Sequence, residues 1–270
     1  MIVSQVNIYP IKSCAGTSLA RSQIDARGFV NDRRWLVVDE DWSFLTQREL
    51  ARMALIKPDV DDHCLRLSAP DMPAFELPVD QPGERVAVTI WKDSGVGAVD
   101  QGDAVAQWFS DYLKQNVRLV RFADDYLRQV SQKYAPRASD QVGFADGYPF
   151  LIASEESLAD LNTRLETPLP MNRFRPNIVV RGADEPYAED TWKAIRIGDV
   201  IFDVVKPCAR CAITTTDQQT AKRGKEPLRT LATYRPGNGG GPLFGQNAIQ
   251  RSAGSVATGT PVEVVEYQYA

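Results

Sequence analysis

The 270-residue chain is short of several things, and each shortage removes a class of function. No run approaches the ~18 consecutive apolar residues of a membrane helix, so no spanning segment and no membrane partner is expected. The opening stretch, MIVSQVNIYPIKS, has neither a charged leader nor a long apolar run and does not read as a secretory signal. The four cysteines lack the spacing of a disulfide framework, which suits a reducing compartment and makes a cytoplasmic protein the expectation. Charge of one sign is also lacking. Thirty-one basic residues against 35 acidic ones leave a net charge of −4, which argues against a nucleic-acid-binding protein as a whole. There is one histidine, His63, so any histidine chemistry must use it, and a solvated strand position is the simpler reading. The stretch Gly237–Gly241 lacks the strand–GxGxxG–helix setting of a dinucleotide site and reads as a mobile loop. No internal repeat or low-complexity tract is present.

What is there is organised around Lys206–Asp217, KPCARCAITTTD. An apolar run, Val200–Val205, precedes it, and β-favouring residues Ile213–Thr216 follow, so strand, sharp Pro-Cys turn and strand are expected. Arg210 stands between Cys208 and Cys211, and a guanidinium favours the thiolate, the form that attacks electrophiles or binds soft metals. Read as half of a zinc site, the pair needs two more ligands, and Cys14, His63 and Cys64 show no matching spacing. A thioredoxin-like pair belongs at a helix start, and TTT does not read as a first helical turn. A single functional cysteine therefore ranks first, inert packing second, and zinc or dithiol chemistry last.

Along the chain, residues 2–8 alternate, with Ile2, Val6 and Ile8 on one side, and lead into the loop Ile11–Gly16 with Lys12, Ser13 and Cys14. Arg34–Asp39 and Trp42–Gln47 flank Glu40-Asp41 as a hairpin, with Arg33 and Arg48 at its outer ends. Short strand-like pieces over residues 51–91, broken by Pro and Asp, have the texture of a barrel or sandwich. Asp103–Val117 carries the stripe Val105, Trp108, Phe109, Tyr112, Leu113 of a helix packed on a core. Residues 118–145 read as a crossover, and a domain boundary is placed near residue 125. Tyr148–Ala153 reads as a buried strand, and Ser154 as the N-cap of a helix with Glu155 and Glu156 in its first turn. Arg173, Arg175 and Asn177 crowd around Pro176, a grouping that suits a phosphate or planar heterocycle as well as a solvated loop. A short helix after Pro227 with Leu228, Leu231 and Tyr234 inward, and a last strand Pro261–Tyr267, complete the chain.

Together, Lys12/Ser13, Arg33, Arg48, Arg175/Asn177 and Arg210 form polar clusters at strand ends around one reactive cysteine. That set suits an anionic, hydrogen-bonding cofactor that carries a thiolate-loving metal, and residue types alone do not name the metal. The segments YPIKSC (9–14), DRRW (32–35), YPFLIASEESL (148–158), FRPN (174–177), YAED (187–190), CARCAITTTD (208–217) and PLFGQ (242–246) do more. In their joint order the sequence resembles the MOSC family, named for the molybdenum cofactor sulfurase C-terminal domain, preceded by its N-terminal β-barrel partner. It is similar to amidoxime-reducing components and to bacterial proteins that detoxify N-hydroxylated bases.

The resemblance implies an α+β, mainly β fold of two β-barrel-like domains, residues 1–125 and 126–270, with a few peripheral helices. It implies a molybdenum-cofactor (Mo-molybdopterin) oxidoreductase that reduces small N-hydroxylated substrates. Carried over by position, Cys211 is the catalytic thiolate ligand of molybdenum. Lys12, Ser13, Arg33 and Arg175 hold the pterin and its phosphate, and Ala209 and Arg210 make contacts beside the ligand. Arg48, Ser154 and Asn177 are further cofactor-binding positions, and Cys208 is not implied as a ligand. Some bacterial relatives carry a ferredoxin domain, and the cysteine cluster for one is not found here. The N-terminal anchor of the mitochondrial members is likewise not seen. Electrons are then expected from a separate protein, a flavin reductase with or without an iron–sulfur or haem carrier. A module that carries or sulfurates the cofactor, and a cofactor-free sulfur carrier with a persulfide on Cys211, remain as alternatives.

Overall fold

The structure, a computed structural model, describes residues 1–238 and 240–268. Strands dominate it, with three α-helices at the edges of curled sheets. The largest sheet has eight strands, in the order Val262–Tyr267, Trp192–Ile197, Val200–Ala209, Leu243–Gln250, Phe150–Ser154, Ile178–Arg181, Ile2–Ile8 and Thr17–Leu19. The first strand of the chain thus sits among strands from its far end. It runs antiparallel to Ile178–Arg181, with Val3 opposite Val180 and Val6 opposite Ile178. Its buried apolar residues are Val3, Val6 and Ile8, not the simple alternation from Ile2. The register slips between Val3 and Gln5, and a bulge adds one residue, which exchanges the two faces of the strand.

The inner face of this sheet packs Phe150 edge-on against both Phe29 and Phe202, at centroid distances of 4.9 and 5.1 Å. A second sheet orders Trp35–Val38, Arg118–Phe122, Asp93–Asp100 and Arg85–Ile90, all antiparallel. A three-stranded sheet of Lys57–Val60, Cys64–Ser68 and Phe75–Pro78 takes up the earlier strand-like pieces between residues 51 and 91, and the last of them, Arg85–Ile90, belongs to the second sheet. The helix Asp103–Leu113 lays its expected stripe on a core that includes Trp35, Val37, Leu65 and Leu67. It stops four residues before Val117 because Lys114 turns left-handed, with φ 60°, and Val117 N–H bonds to Ser110 Oγ instead.

Two expected strands are corrected. Trp42–Gln47 is no regular return strand: it touches Trp35–Val38 through a Val38–Phe44 bridge and a Leu45 N–H to Val37 O bond. The Asp39 carboxylate, which accepts from the N–H groups of Asp41 and Ser43, makes the turn, and Arg118–Phe122 takes the edge of Trp35–Val38. In the cysteine segment the strand runs on through Pro207 and Cys208 to Ala209, with two register slips against Leu243–Gln250. Ala212–Thr215 then forms a 3-10 turn. Thr214 and Thr215 donate their hydroxyls back to the carbonyls of Cys211 and Ala212, at 2.9 and 2.8 Å, which offers the backbone an alternative to a ladder. Of the stretch Gly237–Gly241, read as a mobile loop, Gly239 lies outside the described residues.

Ser154 caps the helix Glu155–Thr163 as expected, accepting from Ser157 N–H at 3.1 Å. Both serine hydroxyls also donate to Glu189, at 2.8–2.9 Å, and the Glu189 residue is 0% exposed. Burial pushes its carboxyl above the ordinary value near 4.5, more than the hydrogen bonds pull it down. A proton held more tightly in the fold than in the unfolded chain makes the protein lose stability as pH rises above 4.5. Glu189→Ala, which strands both serines, is expected to cost about 2–4 kcal/mol in denaturant unfolding. Glu189→Gln costs less, and its deficit against wild type shrinks between pH 5 and pH 8 because the variant no longer titrates there.

Candidate functional site

A cleft of about 750 Å³, counting space open to solvent, lies where the loops after the first strand, residues 145–151, residues 174–177 and the cysteine segment meet. Lys12, Ser13, Arg33, Arg175, Asn177, Arg210 and Cys211 all line it, with Cys208 beside them. Three of these, Ser13, Arg33 and Arg175, have left-handed backbones with φ of 67°, 48° and 57°. Each such non-glycine conformation costs on the order of 1–2 kcal/mol and concentrates where function fixes the backbone.

Lys12 is buried. Its Nζ donates to Phe144 O at 2.9 Å and pairs with the Asp146 carboxylate. Burial lowers the Lys12 pKa, and Asp146 works against that shift. Asp146 is 62% open along its side chain, toward the cleft. The surrounding protein mass raises its pKa, but the Lys12 charge and hydrogen bond, with a bond from Trp91, overcome this and hold the carboxyl well below the usual range. Arg33 Nη1 bonds to Asp32 at 2.6 Å and to Asn177 Oδ1 at 2.9 Å. Arg33 and Arg175 both lie against the Tyr9 ring, with Cζ 4.3 and 4.2 Å from its centroid. Burial pushes the Tyr9 hydroxyl up to about 12 despite the two guanidiniums, and it donates to Pro176 O.

Arg175 lines the cleft from the segment before Pro176. It is sterically buried, and burial lowers its pKa to about 10, so it stays charged at neutral pH. Its Nη1 donates to Cys14 O at 2.6 Å, and no carboxylate among the described residues pairs with it. Arg210 likewise has no carboxylate among the described residues: Nη2 donates to Phe174 O at 2.7 Å, and Nε is buried without a partner. Four cations, Lys12, Arg33, Arg175 and Arg210, thus stand against two carboxylates, Asp32 and Asp146, an excess of two positive charges. That excess favours an anionic ligand.

The cysteines divide differently from the sequence reading. Arg210 Nη1 donates to Cys208 Sγ at 2.8 Å, so the guanidinium between the two cysteines is bonded to the first of them. Cys14 is buried, and burial pushes its thiol up to about 12, which makes it inert packing. No group of three or more His, Cys, Asp and Glu that could hold a metal ion occurs among the described residues.

Three sequence candidates stand elsewhere. Ser154 is committed to its helix cap and Glu189, outside the cleft lining. Ala209 ends the cysteine strand, exposed and outside the lining. Arg48 lies over the Trp91 ring, 4.1 Å from its centroid, in a neighbouring groove. Asn177 lines the cleft with its amide committed, accepting from Leu151 N–H and donating to Asn7 O, both at 3.2 Å. Sequence reasoning missed Asp146, Asp32 and Gln47. Gln47 Nε2 donates to Ser13 O at 2.7 Å and meets Gln218, so it ties the Ser13 turn to the chain beyond Cys211. The readable signal for Asp32 was its place in DRRW; Asp146, an Asp before Gly147, resembles an ordinary turn residue.

Residues 1–116 match the MOSC N-terminal beta barrel domain, and residues 139–263 match the MOSC domain. Among similar proteins, mitochondrial amidoxime-reducing component 1 of Homo sapiens is 39% identical over 96% of this chain and 82% of its own length. Mitochondrial amidoxime reducing component 2 of Homo sapiens is 37% identical over 96% of this chain and 82% of its own. Mitochondrial amidoxime-reducing component 1 of Danio rerio is 33% identical, covering 98% of this chain and 85% of that one. The cysteine, cation cleft and strand framework described above are therefore those of a chain that belongs to the MOSC family.

Proposed function

We propose that this chain is a molybdenum-cofactor-dependent reductase of N-hydroxylated compounds, among them hydroxylamines, amidoximes and N-hydroxylated bases, and that a separate protein supplies its electrons. The likeness to amidoxime-reducing components supports the substrate class. The observation that carries the cofactor is the two-charge positive excess beside Cys211, with Arg175 and Arg210 free of carboxylate partners among the described residues. Those residues fit the group: guanidiniums suit a phosphate, and a cysteine thiolate suits a soft metal. Cys211 would be the protein ligand, and Lys12, Ser13, Arg33, Arg175 and Arg210 would hold the pterin and phosphate. When bound, the group supplies a centre that exchanges two electrons.

Reduction of R–NHOH to R–NH2 and water breaks one N–O bond and consumes two electrons and two protons. The chain's part is to bind, orient and charge-balance. Arg175 and Arg33 neutralise an anion, and their shared contact with Tyr9 fixes both forks before anything binds, which lowers the ordering cost. The Lys12–Asp146 pair presents an amine nitrogen and an open carboxylate to the cleft. All four cysteines are free, which is compatible with a reducing compartment, and we place the protein in the cytoplasm. No helix among the described residues is long and apolar enough to cross a membrane.

The deciding experiment is elemental analysis on protein made in a cofactor-competent host, followed by turnover with an N-hydroxylated substrate. Molybdenum near one per chain is expected, and its absence from folded protein would return the weight to a cofactor-free thiol carrier. Cys211→Ala should lose the molybdenum, while Cys208→Ala retains much of it; equal loss in both folded variants would revive a paired-cysteine site.

Arg175→Ala should weaken cofactor retention at least about tenfold, since a charged hydrogen bond is worth roughly 1.5–3 kcal/mol. Arg175→Lys loses less, keeping the charge without the fork. Cofactor content equal to wild type in the alanine variant would make Arg175 a structural residue only.

NADH or NADPH alone should give no turnover. Reduced methyl viologen, or a flavin reductase with a small electron carrier, should restore it. Sustained turnover of the purified chain on NADPH would refute a separate donor. Failure with viologen on molybdenum-loaded protein would favour a cofactor carrier.

A further inference from the structure

Outside the cation cleft, the groove next to it has a feature the reaction has not used. Trp91 and Lys92 are the two-residue turn between Arg85–Ile90 and Asp93–Asp100, and Trp91 adopts a left-handed backbone, φ 54°. Turns of this kind favour Asn, Asp or Gly, so an indole there is both strained and unneeded for the turn. Trp35, Trp108 and Trp192 are buried in cores, whereas Trp91 is 45% exposed. Its ring is nonetheless fixed. Nε1 donates to Asp146 Oδ1 at 3.1 Å, Phe44 packs at 5.1 Å between centroids, and the Arg48 guanidinium lies 4.1 Å from the ring centroid.

This groove encloses about 1370 Å³, counting space open to solvent, and Asp146 lines both it and the cation cleft. One open carboxylate is thus the common wall between Cys211's cleft and an aromatic shelf. We infer that Trp91, with Phe44 and Arg48, is a substrate subsite that receives the planar, conjugated part of an N-hydroxylated substrate, with Asp146 accepting one of its N–H groups. The inference rests on the reductase reading for the identity of the substrate. The chemistry of the shelf is read from its own contacts. The Arg48 guanidinium over the Trp91 ring, 4.1 Å from its centroid, marks that indole as a surface that attracts a nitrogen-rich cation, and a protonated amidine product is one. An aromatic amidoxime or an N-hydroxylated base adds a ring to that plane, and ring stacking on indole gains beyond simple burial. A small aliphatic amidoxime has no such ring and gains nothing from the shelf. On this inference Arg48 acts on the substrate side of Asp146.

The test compares benzamidoxime with acetamidoxime, which share the reacting group and differ in the ring. Binding is measured by calorimetry on molybdenum-loaded, oxidised protein without an electron donor, so no turnover occurs. Trp91→Ala should weaken benzamidoxime binding about tenfold or more and change acetamidoxime binding by less than about twofold, and Trp91→Phe should restore most of the loss. Molybdenum content should be the same in all three proteins. With a donor present, the loss should appear in KM and not in kcat. Unchanged benzamidoxime binding in Trp91→Ala, equal loss for both amidoximes, or no binding of benzamidoxime to wild type would each overturn the subsite. So would a fall in molybdenum content, which would make Trp91 a support for the cofactor cleft through Asp146. Trp91-dependent binding without turnover under viologen would leave the subsite standing and overturn the reductase reading instead.

Discussion

The cleft depends on a buried knot that Asp32, Arg33 and Asn177 tie between segments far apart in sequence. Asp32 accepts from Tyr9 N–H at 2.8 Å and from Arg33 Nη1 at 2.6 Å, and Arg33 passes on to Asn177 Oδ1 at 2.9 Å. Asn177 in turn holds the backbone of Leu151 and Asn7. Asp32 and Asn177 are nearly inaccessible to water, so every lone pair and N–H in the knot must find a partner inside the protein. Four chain segments meet there, and the cleft residues Lys12, Arg33, Leu151 and Arg175 lie on or beside them, with the cysteine segment closing the cleft from outside the knot. A buried pair contributes little net stability, but losing one member leaves a charge without compensation, which makes the arrangement all-or-none.

The same knot sets the electrostatics. The chain carries a net charge of −4, yet its cleft gathers two more cations than carboxylates. Arg175, its pKa lowered by burial to about 10, would gain from an anionic neighbour that water cannot supply as well. Left-handed backbones at Ser13, Arg33 and Arg175 add local strain at the same three positions. Uncompensated charge and strain in one place are features a fold tolerates for a ligand and has no reason to keep for itself.

How much of this was legible in the sequence follows from which interactions are local. The helix Asp103–Leu113 and the Ser154 cap were readable because a 3.6-residue stripe and a serine before two glutamates act within a few residues. The face exchange in Ile2–Ile8 was not, since a bulge is set by pairing with Ile178–Arg181, far along the chain. The 3-10 turn after Cys211 replaced an expected strand because threonine hydroxyls bonded back to their own backbone, which β-propensity does not register. At the site, Lys12, Ser13, Arg33, Arg175, Asn177, Arg210 and Cys211 meet in the cleft as a set, because each lies in a segment with a distinctive motif. Arg210 could be placed beside two cysteines from sequence, but which sulfur it touches is decided by its second bond, to Phe174 O.

Asp146 shows most clearly why the remainder was hidden. Nothing in ADGYPF marks it out, and its importance comes from what three distant segments bring to it: Lys12 from one side, Trp91 from another, and Arg48's field across the groove. A carboxylate held ionised by a buried lysine is a fixed negative point at the edge of a positive cleft. It limits how far the cation field extends and keeps an acceptor at the boundary with the Trp91 groove. An anionic group is favoured on the Arg175 side of it, and N–H donors where its oxygens are open. One carboxylate can therefore favour groups of opposite character in two adjacent spaces.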